Sequence, residues 1–251
     1  MNLRLMNNIP TVTKNLLIIN VLVFFGTFVA EQSGIDLNRY LGLHFFMAED
    51  FNAAQLFTYM FMHSGFTHLF FNMFALWMFG RTLEMVWGPS RFLTYYLICG
   101  VGAGLIQEAV TAISYFPMTS GVPPELLDTV FREGADALHN HMNFVDPTLA
   151  SINVTLNGYT VGASGSVYGI LLGFGMLFPN EQMYVFPIPF PIKAKYFVMG
   201  YAVIELLSGL ANRTGDNVAH FAHLGGMIFG FLLIMYWRKK NRGNGYYQYY
   251  D

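Results

Sequence analysis

Charge is what this chain has least of. Asp, Glu, Lys and Arg make up 11% of its 251 residues, where a soluble domain carries about 25%. With 54% hydrophobic residues, that deficit points to a membrane as the surrounding solvent. A basic surplus is lacking as well. The 13 Lys and Arg stand against 15 Asp and Glu, a net charge of -2, which removes the electrostatic case for nucleic acid. The single cysteine, Cys99, lies in an apolar run and excludes an intrachain disulfide. His139 and His141 have no further ligands at useful spacing, so no metal and no cofactor are expected. No small-residue cleavage pattern follows the first apolar run, which reads as a retained span. No internal repeat is present.

What remains is apolar sequence in lengths that suit a bilayer. A spanning helix needs about 20 mostly apolar residues, and six segments approach that: 16–30, 67–86, 92–113, 164–178, 196–210 and 218–237. Basic residues orient them. Ten, from Arg4 and Lys14 to Arg242, fall on one side, and Arg39, Arg132 and Arg213 on the other. The bias places both termini in the cytoplasm. The expected organisation is a cytoplasmic N-terminus (1–15), a six-helix membrane domain (16–237) with an external insertion at about 114–161, and a disordered cytoplasmic tail (238–251).

Two external connections are long. Residues 31–66 are rich in aromatics and read either as an interfacial segment or as an ordinary loop. In the second, Pro123-Pro124 open an amphipathic helix with Leu127, Val130, Phe131, Ala135, Leu138 and Met142 on one side. Asn153-Val-Thr155 and Asn212-Arg-Thr214 match the glycosylation sequon, a short and common pattern.

Polar side chains inside the spans are few, and such groups face the protein interior. They are His68, Asn72 and Glu84 in the second span, Gln107 and Glu108 in the third, Glu205 in the fifth, and His220 and His223 in the sixth. Ser164 opens the fourth span, flanked by Gly162 and Gly165. A serine there is either a plain helix cap or a nucleophile beside free backbone amides. Ser164, His68, Asn72 and His223 share one level in the outer half of the membrane. Gly165, Gly169 and Gly173 form a stripe on the fourth span, and Gly226 and Gly230 on the sixth, so these helices can approach closely. At about 100° per residue, His223 lies roughly 20° from Gly230 and His220 roughly 80°. His223 therefore faces Ser164, and His220 reads as a structural or loop-facing histidine.

Four motifs in this order resemble the rhomboid intramembrane serine proteases: His68-Leu-Phe-Phe-Asn72, Gly80-xxx-Glu84-xxx-Gly88, Gly162-Ala-Ser164-Gly165 with Tyr168, and Ala222-His223-Leu-Gly-Gly226. The resemblance covers about 16–237 and implies an all-α membrane protein with a six-transmembrane-helix, rhomboid-like bundle. It implies Ser164 as nucleophile and His223 as general base, a dyad with no carboxylate on the imidazole. Tyr168 would stack on His223, and His68, Asn72 and the Ser164 amide would form the oxyanion hole. Gly162, Gly165 and Gly226 would support the site, and Gly80, Glu84 and Gly88 would be structural. Where many members carry a Trp-Arg pair in the first external loop, this chain has Ala54-Gln55, and its segment between the third and fourth spans is long.

The implied activity is an intramembrane serine endopeptidase that cuts single-span transmembrane proteins near their outer end. Its partners would be those substrates and the lipid bilayer, with the fifth span as lateral gate. The implied location is a multi-pass protein of a bacterial plasma (inner) membrane. Two other classes were weighed: a non-proteolytic binder of transmembrane segments, and a proton-coupled transporter using His68, His220, His223 and Glu205.

Overall fold

The structure is a computed structural model that describes residues 9–184, 189–211 and 219–243, the last three through their backbone only. Arg4, Arg213, the sequon at Asn212 and residues 244–251 of the expected tail lie outside the described residues.

Helix α1 (Thr11–Gln32) forms the first span. It starts earlier than the apolar run because Glu84 holds its first turn. The Glu84 carboxylate accepts from Val12 N at 2.9 Å and from Thr13 N and Oγ1 at 2.7 Å each. These are the amides a helix start leaves without partners. A connection follows with α2 (Leu37–Leu41), strand β1 (Leu43–His44), α3 (Gln55–Thr58) and a 3₁₀ turn over Tyr59–Phe61. The second span runs unbroken from α4 (Phe66–Ala75) through a π-helical turn (Leu76–Gly80) into α5 (Arg81–Trp87). Gly88, at φ 79°, ends α5 in a conformation that favours glycine. Pro89 then opens α6 (Pro89–Thr119), where a missing amide costs nothing.

Next come α7 (Pro124–His139), α8 (Pro147–Asn157) and strand β2 (Tyr159–Thr160). Helix α8 is capped by Asp146, which accepts from Thr148 N and Leu149 N at 2.8 and 2.9 Å. Strand β2 pairs antiparallel with β1 and leads into α9 (Ser164–Leu177). A short hairpin of β3 (Gln182–Met183) and β4 (Ile192–Lys193) precedes α10 (Ala194–Ala211) and α11 (His220–Gly243).

Among the described residues, six helical spans, α1, α4–α5, α6, α9, α10 and α11, form a membrane bundle. Helices α1, α6, α10 and α11 are long and apolar enough to cross a membrane on their own. Their outward faces carry large apolar side chains, among them Leu22, Phe28, Leu207 and Leu232, a belt that only lipid would cover. Helix α9 is the centre. It is buried nearly all round, as a uniformly apolar helix must be, and it packs against α6 and α11. Its 14 residues rise only about 21 Å, short of a hydrocarbon core of about 30 Å. One end of α9 must therefore begin below the membrane surface. The non-helical backbone leading to Ser164 is satisfied by protein: β2 pairs with β1, and Gly162 N donates to Tyr59 O at 2.9 Å.

Helices α7 and α8, with the first loop, form a cap over one end of the bundle. It has its own core of Phe45, Tyr115, Val130, Ile152 and Leu156. Tyr115 draws α6 into that core, so α6 extends past the expected end at Ile113. Helix α7 buries Val130 as expected, but Met142 lies beyond its end and is exposed. The asparagine of the first sequon, Asn153, is fully buried. Asn153 Nδ2 donates to Gly134 O and Asn143 Oδ1, and its Oδ1 accepts from Asn157 Nδ2. Gln55 knots the first loop. Its amide donates to Tyr40 O and Asp50 O and accepts from His44 N and Asn52 N.

At the opposite end, residues 238–243 continue α11 instead of opening a disordered tail. Trp237 packs on Trp87 with Arg91 over its ring, and Arg238 donates to Met176 O at 3.3 Å. These contacts anchor α11 at Trp237 and Arg238.

Candidate active site

Ser164 is the first residue of α9, and His223 lies one turn into α11. Val167 N bonds to Ala163 O at 3.0 Å, so the Ser164 amide precedes the intrahelical ladder, as the first amides of a helix do. The two helices meet backbone to backbone. A Cβ on Gly226 would collide with the Gly165 carbonyl, so nothing larger than glycine fits at this crossing. Gly169, one turn further along α9, lies between Cys99 of α6 and the Gly226 carbonyl, whereas Gly230 faces Tyr95 and Cys99 of α6, and Gly173 faces Leu83, Tyr95 and Trp87. The predicted glycine-to-glycine contact thus holds around Gly226, which Gly165 and Gly169 both approach, and is not continued at Gly173 and Gly230.

At that crossing, His223 Nε2 lies 2.9 Å from Ser164 Oγ. Tyr168, one turn along α9, stacks on the His223 ring with centroids 4.2 Å apart and planes 8° from parallel. Gly162 takes φ 134°, and a Cβ there would sit 2.8 Å from His68 Nε2. Backbone and space both require glycine beside the serine. His68 and Asn72 come from α4. Asn72 Nδ2 donates to His68 O at 3.0 Å, and Ser64 Oγ meets His68 Nδ1 at 3.0 Å. When that hydroxyl donates, the ring proton sits on Nε2, the tautomer that can serve as a donor.

Two features escaped the sequence reading. Ser64 is one; its signal was its i−4 spacing from His68. The other corrects the expectation of an imidazole without a carboxylate. Glu205 of α10, 5% exposed, places Oε2 2.9 Å from His223 Nδ1 and 2.6 Å from His220 Nδ1, while Oε1 accepts from the Tyr168 hydroxyl. His220 is therefore part of this network and not a loop-facing side chain. Glu205, His220 and His223 also present ligand atoms within 4.8 Å of one another, a set that could hold a metal ion. The hydrogen bonds among them satisfy the carboxylate without one.

Ser164, His223, Tyr168, His68 and Asn72 all line one groove of about 2000 Å³ between the α4–α5 span and the α9–α10 side. Sites for small ligands run to about 300–1,000 Å³. This groove is larger and walled mainly by apolar side chains such as Phe71, Phe74, Phe174 and Phe197. Glu84, Gly80 and Gly88 do not line it. Gly80 packs against Phe92, and a Cβ there would lie 3.0 Å from that ring.

A helical membrane bundle whose short central helix begins at a serine–histidine pair defines the class of protein. The family follows from comparison: the Rhomboid domain model matches residues 50–240, and the chain belongs to the rhomboid family. It is 29% identical over 176 residues to Rhomboid protein 1, mitochondrial, of Saccharomyces cerevisiae, which covers 70% of this chain and 39% of that protein. It is 26% identical over 251 residues to an uncharacterised mitochondrial rhomboid protein of Schizosaccharomyces pombe, covering 89% and 64%. It is 27% identical over 177 residues to Rhomboid protease AarA of Providencia stuartii, covering 69% and 52%. The chain spans about two fifths to two thirds of the length of these relatives. They include mitochondrial and bacterial proteins, so membership does not single out the bacterial plasma membrane.

Proposed function

We propose that this protein is an intramembrane serine endopeptidase that cleaves transmembrane segments of other proteins. The observation that carries the reading is the 2.9 Å approach of Ser164 Oγ to His223 Nε2, a nucleophile and a base within hydrogen-bond reach. Ser164 attacks a peptide carbonyl while His223 takes its proton. The proton passes to the departing amine, and water then hydrolyses the acyl-enzyme by the same route. The oxyanion is held by the Ser164 amide, His68 and Asn72, each donor lowering the barrier by ~3 kcal/mol.

Substrates on this reading are single-span membrane proteins. They enter through the lateral groove between the α4–α5 span and α10, whose size and apolar walls suit a polypeptide. The charge bias of the sequence puts the serine on the outer side, with both termini cytoplasmic. A binder of transmembrane segments has no need of a serine–histidine contact, and a proton relay has no need of the serine. The test is reconstitution in liposomes with a model transmembrane substrate. Wild type should cleave it and Ser164→Ala should not; equal cleavage by both would overturn the proposal.

A further inference from the structure

Glu205 is the carboxylate of α10, a helix that carries neither Ser164 nor His223. A buried carboxylate in apolar surroundings is costly unless its oxygens are hydrogen-bonded. Glu84 meets that need by binding the backbone and the Thr13 hydroxyl at the start of α1, which is an architectural solution. Glu205 meets it with site side chains: His223, His220 and Tyr168. Tyr168 also stacks on the ring that the carboxylate grips. The imidazole of His223 is thus held on its face by Tyr168, at Nδ1 by Glu205, and at Nε2 by Ser164.

Resting on the reading of Ser164 and His223 as nucleophile and base, we propose that Glu205 is a third, positioning member of the site. A neutral imidazole has two tautomers, and only the one protonated at Nδ1 leaves Nε2 free to accept the serine proton. An ionised carboxylate is an acceptor only, so a ring hydrogen-bonded to it must carry its proton on Nδ1. When Ser164 Oγ bonds to the substrate carbon, its proton moves to Nε2 and the ring becomes a cation facing the Glu205 anion. The proton then leaves from Nε2 to the departing amine. Glu205 stays ionised throughout and gains or loses no proton. The third member comes from a different helix, so the site is complete only with α10 docked against α9 and α11.

The experiment measures two rates for each variant of the full chain in liposomes: labelling of Ser164 by a fluorophosphonate, and cleavage of a model transmembrane substrate. Glu205→Gln should lower both labelling and kcat by about 10²- to 10⁴-fold, up to the loss seen when a triad carboxylate becomes an amide, with KM changed less than about threefold. Glu205→Asp should recover at least about tenfold over Glu205→Gln. Glu205→Ala, which opens a space of carboxylate shape, should be rescued by added formate in a concentration-dependent way. A merely structural role would not respond to formate or separate kcat from KM. Labelling by Glu205→Gln within about threefold of wild type overturns the proposal. So does a loss that neither Glu205→Asp nor formate repairs. Ser164→Ala and His223→Ala run alongside: persistence of cleavage in either would show that the underlying reading failed, whatever Glu205 does.

Discussion

The bundle and the cap both bury polar side chains, and the partners of those side chains differ. In the cap, Asn153, Asn157 and Gln55 bond mainly to backbone carbonyls and amides and to one another. They lock loops and helices together, and none of them lines the groove. In the bundle, Ser164, His223, Glu205 and Tyr168 bond to one another across three helices beside an open groove. A polar group bound to backbone holds a fold. A chain of titratable side chains ending at an accessible hydroxyl can move a proton. Glu84 is the control within the bundle: it is equally buried but bonds to the start of α1.

The sharpest break in the comparison comes from the serine and the histidine. Ser164→Ala and His223→Ala are each expected to lower substrate cleavage by at least ~10⁴-fold, with the unfolding temperature in detergent close to wild type. A variant that unfolds early instead would mean that this network, like the cap's, is architecture. Next in size is Asn72→Ala. It should lower kcat by about 10²–10³ with KM nearly unchanged, because an oxyanion donor acts in the transition state. His68→Ala should cost less, since water can take its place. A rise in KM alone would assign both residues to substrate binding.

Much of the bundle was legible because glycine, histidine and serine leave few choices in an apolar helix. The Gly165–Gly226 crossing and the facing of His223 follow from spacing along two helices. The reach of Glu205 does not. The rotation of α10 is set by packing that no motif records, with Ala194 and Val198 buried and Val198 against Gly175. The signal was weaker: a lone carboxylate in an apolar span must have partners, and two histidines in the next span were available. In the cap, α8 was missed although Asp146-Pro147 is a strong helix start. The Ile, Val and Thr residues that follow blur its periodicity. The apolar stripe of α7 was read one turn too far because Asn140 and His141 end the helix before Met142, with His141 at φ 57°.

The cap's side of the comparison predicts losses of stability without losses of chemistry. Asn157→Ala removes the donor to Val130 O and Asn153 Oδ1 and should destabilise the protein by about 1–3 kcal/mol. The fluorophosphonate labelling rate of the protein that remains folded should not change. His44 should contribute less. It is buried, with Nε2 bonded to Arg39 O at 2.7 Å, and burial pushes its pKa below the usual histidine value. The unfolded chain therefore takes up a proton near pH 6.5 that the folded cap resists. Stability on this account is full at neutral pH and falls as the pH drops through the unfolded value. His44→Gln should flatten that slope in denaturation curves; an unchanged slope would assign it to other groups.

The smallest effect is expected at Arg39, and it tests the boundary between the two regions. Its Nε meets Asp50 at 2.8 Å and its Nη1 meets Asp136 at 3.0 Å, which joins the first loop to α7. All three side chains are partly solvated, Asp136 at 72% exposure, so water and salt screen the pairs. Exposed ion pairs of this kind contribute less than about 1 kcal/mol, and the contribution should shrink as ionic strength rises. Arg39→Ala should lower the unfolding free energy by that amount at low salt and by less at 0.5 M salt. Its kcat and labelling rate should match wild type, because the strands joining cap to site, β1 and β2, are held by backbone pairing and do not depend on this side chain. A change in kcat with stability intact would mean that the cap reaches Ser164 through the β1–β2 pair, and the division between architecture and chemistry would have to be redrawn there.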